Sequence, residues 1–268
     1  MPVLRSGTPH RPARSLATAI AALLATVALL LGLPGTADAA AGRHAPEPTH
    51  PDQDWAGSQV ARHEGATTGL LPPPPSLTAS VEGVDVSSHN GNVAWSTLWN
   101  SGVRFAYVKA TESTSYTNAY FAQQYNGSYN SGMIRGAYHF ATPDTSSGAA
   151  QANYFVAHGG GWSKDGKTLP GALDMEYNPY GATCYGLSAA GLVNWMKDWF
   201  ATYKARTGRD AVLYTSTGWW KQCTGNSAAF GSSNPLWVPR YGSSVGELPA
   251  GWGFHTIWQY TSTGPAVG

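Results

Sequence analysis

Two carboxylates, Asp174 and Glu176, stand two positions apart in "LPGALDMEYNP" (169–179), a run otherwise built of apolar and turn residues in a chain that is only 12% charged. If this run is a strand, positions i and i+2 share one face about 6.6 Å apart along the backbone, so both acids point the same way. Two carboxyls in one apolar mouth raise each other's cost of ionisation, which favours a protonated acid beside a carboxylate near neutral pH. Glycoside hydrolysis needs that pairing: a proton donor for the leaving oxygen and a negative group beside the oxocarbenium-like centre. The competing reading of the same residues is a structural pair bridged to Arg240 or Lys109. Asp144, Asp165, Asp198 and Asp210 fall in turns, caps or polar helix positions and are poorer candidates.

Elements of a particular kind must position such a pair. From Val81 onward, short apolar runs alternate with helix-like segments: "EGVDVS", "RFAYVKAT", "MIRGAYHFA", "LPGALDMEY", "DAVLYTS", "PLWVPRY" and "FHTIWQYTS" are the runs. Amphipathic helices follow the first four, only a short and poorly helical piece follows the fifth, and none follows the last two. Near-continuous apolar strands separated by helices indicate a parallel sheet covered on its outer face, here an irregular β/α barrel of seven strands and fewer than eight helices. A doubly wound open sheet would carry a Gly-rich phosphate loop after its first strand, and "GVDVSSHNGN" has none. Barrel active sites lie at the C-terminal strand ends. Those ends carry Asp85, Glu112, Tyr138 and His139, Asp174 and Glu176, Tyr214, Trp237 and Arg240, and Trp258 and Gln259. For Asp85 an Asx turn capping "SSHN" is the plainer alternative.

The N-terminal region reads as processing and spacing. Arg5, Arg11 and Arg14 precede the apolar stretch 16–33, and "ADA" (37–39) has the form of a secretory cleavage site, so residues 1–39 are expected to be a signal peptide. A membrane anchor is the alternative reading of the stretch. Loss of 1–39 removes three basic and one acidic residue, leaving 13 against 14, with no basic excess to attract nucleic acid. Residues 40–79, rich in Ala and Pro and closing on "PPPP" (72–75), are expected to be a disordered or polyproline II linker before a domain at 80–268. The only cysteines, Cys184 and Cys223, are most simply one disulfide in an exported chain. Its loop of about 40 residues corresponds to about 3–4 kcal/mol in the chain-entropy description. Eleven Trp and fourteen Tyr suit a sugar-binding groove as well as a core.

In order and spacing, "GVDVSSHNG", "FAYVKATE", "GAYHFA", "ALDMEYNPYGATCYGLS", "LYTS", "PLWVPRYG" and "IWQYTS" resemble glycoside hydrolase family 25, the Ch-type lysozymes or N,O-diacetylmuramidases. The resemblance implies hydrolysis, with retention, of the β-1,4 bond between N-acetylmuramic acid and N-acetylglucosamine in peptidoglycan. It implies that Asp85, Asp174 and Glu176 are the family's acids, with Glu176 the proton donor, and that Tyr138, Tyr214, Trp237 and Gln259 line the groove. Glu112 and Trp258, also at strand ends, join them as expected substrate-binding residues. The family usually continues into an eighth strand with another acid, whereas this sequence ends at Gly268, so the domain is expected to be C-terminally truncated and its barrel open on one side. A secreted monomer acting on glycan strands is expected, with no metal, no cofactor, no nucleic-acid partner and no stable membrane association after signal cleavage. The i, i+2 spacing leaves two mechanisms open: attack by the substrate's 2-acetamido oxygen, oriented by Asp174, or Asp174 as a covalent nucleophile. A chitinase-like enzyme and an inactive carbohydrate-binding barrel are the rival functions; the first would carry further acids before the pair, and the second would have lost the acids.

Overall fold

Each near-continuous apolar run must serve an inner and an outer layer at once, because successive side chains of a strand point to opposite faces. The computed structural model describes residues 53–65 and 80–264. Seven parallel strands lie side by side in chain order: β1 (Gly83–Val86), β2 (Phe105–Glu112), β4 (Ile134–Phe140), β5 (Ala172–Asp174), β6 (Val212–Tyr214), β7 (Leu236–Pro239) and β8 (Ile257–Gln259). A two-residue strand, β3 (Tyr116–Thr117), pairs antiparallel with the end of β2. The described residues hold six α-helices: α1 (Val60–Glu64), α2 (Trp95–Asn100), α3 (Phe121–Asn130), α4 (Gly148–Phe155), α5 (Ala189–Thr207) and α6 (Thr217–Thr224). The curled sheet is a partial barrel of seven parallel strands, as the runs together with the family resemblance imply.

The two layers are read directly from alternate residues. Tyr107, Tyr138, Ala172, Val212, Tyr214 and Trp237 form the inner cluster. Their neighbours along the strands, Leu173, Leu213, Leu236 and Val238, instead join the outer core with Phe155, Trp199, Tyr203, Trp219 and Trp220. A second outer cluster, Trp95, Leu98, Val103, Ala106, Val108 and Met133, seats α2 against the first strands. β1 pairs only with β2 and β8 only with β7, so the sheet has two edges among the described residues. Side chains join those edges where backbone does not: Gln259 Nε2 donates to Asp85 Oδ2 at 2.9 Å and Tyr260 Oη to Glu82 Oε2 at 2.9 Å.

Two expectations need amendment. The segment after β6, poor in helix formers, is a true helix, α6. Ser216 caps it by accepting from the Trp219 N–H at 3.2 Å, Gly225 ends it in the left-handed region (φ 66°), and Trp219 and Trp220 are both fully buried. Capping and tertiary burial outweigh weak propensity here. Residues 53–65, within the span expected to be a linker, fold against the barrel, with Asp54, Ala56 and Val60 buried. The expected signal peptide, 1–39, and the rest of the 40–79 span lie outside the described residues. Cys184 and Cys223 are bonded, as expected, with Cα atoms 5.3 Å apart.

Candidate active site

The short strands end in the residues that face the mouth. Asp174 closes β5, in register with Phe140 of β4 and Tyr214 of β6. Beyond it the Met175 N–H donates to the Tyr214 carbonyl at 2.9 Å, which carries the strand's course one residue further. Met175 packs into the outer core, so Glu176 returns to the side of Asp174. Both acids are almost wholly buried. Glu176 accepts from the Gly57 N–H on both carboxylate oxygens, each at 3.1 Å, and its backbone carbonyl accepts from Tyr185 Oη at 3.2 Å. Both oxygens of Asp174 are buried without a hydrogen-bond partner. Neither acid is bridged to Arg240 or Lys109 among the described ion pairs, so the structural-pair reading finds no support.

Burial dominates the electrostatics. Desolvation holds both carboxyls well above the ordinary carboxylate range. The charge of Asp174 adds to the rise at Glu176, and the Gly57 amide opposes it. At Asp174 the Lys109 ammonium opposes the rise while Asp85 adds to it. Asp85, at the mouth end of β1, is pushed up to about 6 by burial, with the Gln259 hydrogen bond opposing. The upward shift favours the protonated form of these acids, the form required of a general acid.

Around the acids stands an aromatic wall. Trp237 stacks on Tyr107 at 4.9 Å and meets Tyr214 and Tyr138 edge-on at 4.8 and 6.3 Å. Tyr214 Oη donates to Gln259 Oε1 at 2.8 Å, as does Tyr241 Oη at 3.0 Å. Of the residues expected from sequence, Asp85, Asp174, Glu176, Tyr138, Tyr214, Trp237 and Gln259 are thus brought together. Glu112 sits beside them through Lys109, whose Nζ donates to Glu112 Oε2 at 2.6 Å. Trp258 does not join them. It precedes Gln259 on β8 and so takes the other face, where its indole N–H donates to the Arg240 carbonyl at 2.8 Å and its ring meets His255 and Tyr260.

Several participants had no clear sequence signal. Lys109 is fully buried within β2, three residues before its last residue, and although desolvation lowers its pKa, Glu112 and Asp54 outweigh it and hold the charge in place, so the net shift is upward. Tyr241 lies two residues past β7, and its side of the groove could have been guessed from "PRYG". Tyr177, Tyr180 and Tyr185 follow Glu176 in the loop that also carries Cys184. Asp54, Ala56 and Gly57 reach the mouth from far upstream, and nothing in their spacing announces it.

Residues 84–268 match the glycosyl hydrolases family 25. The chain is 50% identical over 194 residues to Lysozyme M1 of Streptomyces globisporus, covering 72% of this chain and 66% of that protein. It is 51% identical over 184 residues to the N,O-diacetylmuramidase of Chalaropsis sp, covering 67% of this chain and 87% of the relative. The solved muramidase from Acremonium alcalophilum superposes with a TM-score of 0.70 at 55% identity, over 70% of this chain and 91% of that one.

Proposed function

We propose that this chain, which belongs to the glycosyl hydrolases family 25, hydrolyses the β-1,4 bond between N-acetylmuramic acid and N-acetylglucosamine in cell-wall peptidoglycan as a secreted monomer. The observation that carries the reading is the pair of buried carboxyls, Asp174 and Glu176, on one side of the β5 end within a ring of tyrosine hydroxyls and Trp237. The names of the relatives, lysozyme and N,O-diacetylmuramidase, support it.

In this reading Glu176 gives its proton to the glycosidic oxygen as the bond to the anomeric carbon breaks. The substrate's acetamido oxygen forms the new bond to that carbon from the opposite face. Asp174, whose two oxygens have no protein partner, accepts the acetamido N–H and balances the charge that develops. Glu176, now a carboxylate, takes a proton from the water that opens the cyclic intermediate, and the configuration is retained. Asp85 fixes Gln259, and Tyr138, Tyr214 and Trp237 give the sugar a flat, hydroxyl-edged wall. Glu112 acts through Lys109, both buried beside the acids.

Incubation with purified cell wall and, separately, with chitin tests the proposal through the identity of the new reducing ends. Muramic acid reducing ends from wall, with chitin untouched, are expected. N-acetylglucosamine reducing ends from wall, or chitin cleaved as readily, would overturn it in favour of a glucosaminidase or chitinase.

A further inference from the structure

The polar groups of the mouth already have a ligand, and it is this chain's own residues 54–57. The Gly57 N–H sits on both oxygens of Glu176 at 3.1 Å, where a glycosidic oxygen would have to come. The Gly57 carbonyl lies 3.0 Å from Tyr241 Oη and shares its single proton with Gln259 Oε1. The Ala56 carbonyl accepts from Gln259 Nε2 at 3.0 Å, and the Ala56 N–H donates to Tyr138 Oη at 3.4 Å. Two residues before Ala56, Lys109 Nζ donates to the Asp54 carbonyl at 2.6 Å and pairs with its carboxylate at 3.0 Å, while Tyr180 Oη donates to Asp54 Oδ2 at 3.0 Å. Glu176, Tyr138, Gln259, Tyr241 and Lys109 are thereby all engaged at once.

The fit is specific to these residues. Gly57 has φ +87°, a conformation that other residues adopt at a cost. A Cβ there would fall 2.1 Å from Tyr241 Oη, 2.6 Å from Gln259 Oε1 and 2.7 Å from Tyr214 Oη. Asp54 and Ala56 are completely buried. Downstream, α1 anchors the segment on the rim: His63 stacks on Tyr177 at 4.1 Å with the rings 3° from parallel, and Tyr177 Oη donates to Glu64 Oε1 at 2.9 Å. The chemistry also imitates the substrate, since a peptide unit presents the same N–H and carbonyl as an N-acetyl group.

We propose that residues 53–65 are an intramolecular inhibitor that fills the saccharide groove, so that the chain is latent until this segment is withdrawn or cut away. The proposal rests on the reading of the groove as the muramidase site. Tethering through residues 66–79 gives the segment an effective concentration on the order of millimolar, so even modest intrinsic affinity keeps the groove filled. The observed rate then scales with the small fraction of molecules whose groove is open.

A protease recognition sequence inserted between residues 66 and 79 allows the same preparation to be assayed on cell wall before and after cutting and removal of the N-terminal piece. Cutting is expected to raise the lytic rate at least about tenfold, and a synthetic peptide of residues 53–65 to bring it down again. Full-length Gly57→Val and Asp54→Ala, both changes in the inhibitory segment and not in the barrel that carries the acids, are expected to be active without cutting. Hydrogen exchange gives a readout independent of activity: the Gly57 amide is expected to be protected in the uncut chain. Equal rates before and after cutting, or a Gly57 amide that exchanges as in a free peptide, would overturn the proposal. Failure of the muramidase reading would look different, with no muramic acid ends released by either form, and would overturn latency with it.

Discussion

His139 shows how strongly a single side chain on this barrel is committed to one protonation state. It follows the inward-facing Tyr138 on β4 and so points outward, between Phe155 and Trp199 at ring distances of 5.7 and 6.2 Å. Its Nε2–H donates to Gln151 Oε1 at 2.9 Å and its Nδ1 accepts from Thr111 Oγ1 at 2.8 Å, which is the neutral tautomer. Burial, the largest cause, holds its pKa down from 6.5 to about 4. The folded state thus refuses a proton that the unfolded chain accepts, and this contribution to stability is lost as pH falls from about 6.5 to 4. The shift corresponds to about 3 kcal/mol. Asp85 works in the opposite sense: its folded pKa of about 6 lies above the ordinary 3.8, so its contribution is present below 3.8 and is lost as pH rises through 6. The two partly cancel in the wild type, and a difference measurement separates them. Urea unfolding at pH 7 and pH 4 should show wild type losing about 3 kcal/mol more than His139→Gln over that interval; parallel profiles would refute the assignment. At this scale sequence spacing was informative for the residues that end strands, since a barrel sends every strand end to one mouth. It offered Lys109 only as a bridge to the carboxylate pair, whereas its charge is held by Glu112 on the same strand and by distant Asp54, and it was misleading for Trp258, because one step along a strand reverses the face.

Helix pairs carry the outer layer, and α4 and α5 approach each other closely at Gly148. A Cβ on Gly148, the first residue of α4, would lie 2.3 Å from the Trp195 carbonyl oxygen and 2.7 Å from the Trp199 nitrogen, both backbone atoms of α5. Asp198 of α5 also accepts from the Ala149 N–H at 2.7 Å, so one helix helps to cap the other. Gly148→Ala therefore has to push the helices apart, at about 1–3 kcal/mol, and should lower the melting temperature by several degrees. An unchanged melting temperature would mean that the contact is slacker than it is drawn. The strands were legible because their apolar runs are unbroken, and α5 because nineteen residues of amphipathic pattern leave little doubt. α6 was not, since its order depends on the Ser216 cap and on burial of two tryptophans, neither of which propensity reveals. Residues 53–65 were read as linker for the same reason: their order comes from the barrel they touch, and five helical residues in α1 are too few to show in sequence.

The described residues 80–264 form a partial barrel whose edges are linked by Gln259 to Asp85 and Tyr260 to Glu82, one of the two links being at the mouth itself. The Cys184–Cys223 bond ties the loop after Glu176 to α6, so the wall of the groove formed by Tyr177, Tyr180 and Tyr185 is anchored to the helical layer. In the proposed mechanism Glu176 is the group that gives up a proton in the mouth. Its pKa is raised in the folded state, so removing its charge does not harm the fold, and Glu176→Gln should melt no lower than wild type at pH 7. The direct measurement is the release of muramic acid reducing ends from cell wall by wild type and Glu176→Gln, both cut between residues 66 and 79 and cleared of the N-terminal piece. A fall of about 10²–10⁴-fold with unchanged saccharide binding is the predicted result. A variant that keeps most of the wild-type rate would contradict the account, since the proton would then come from another group.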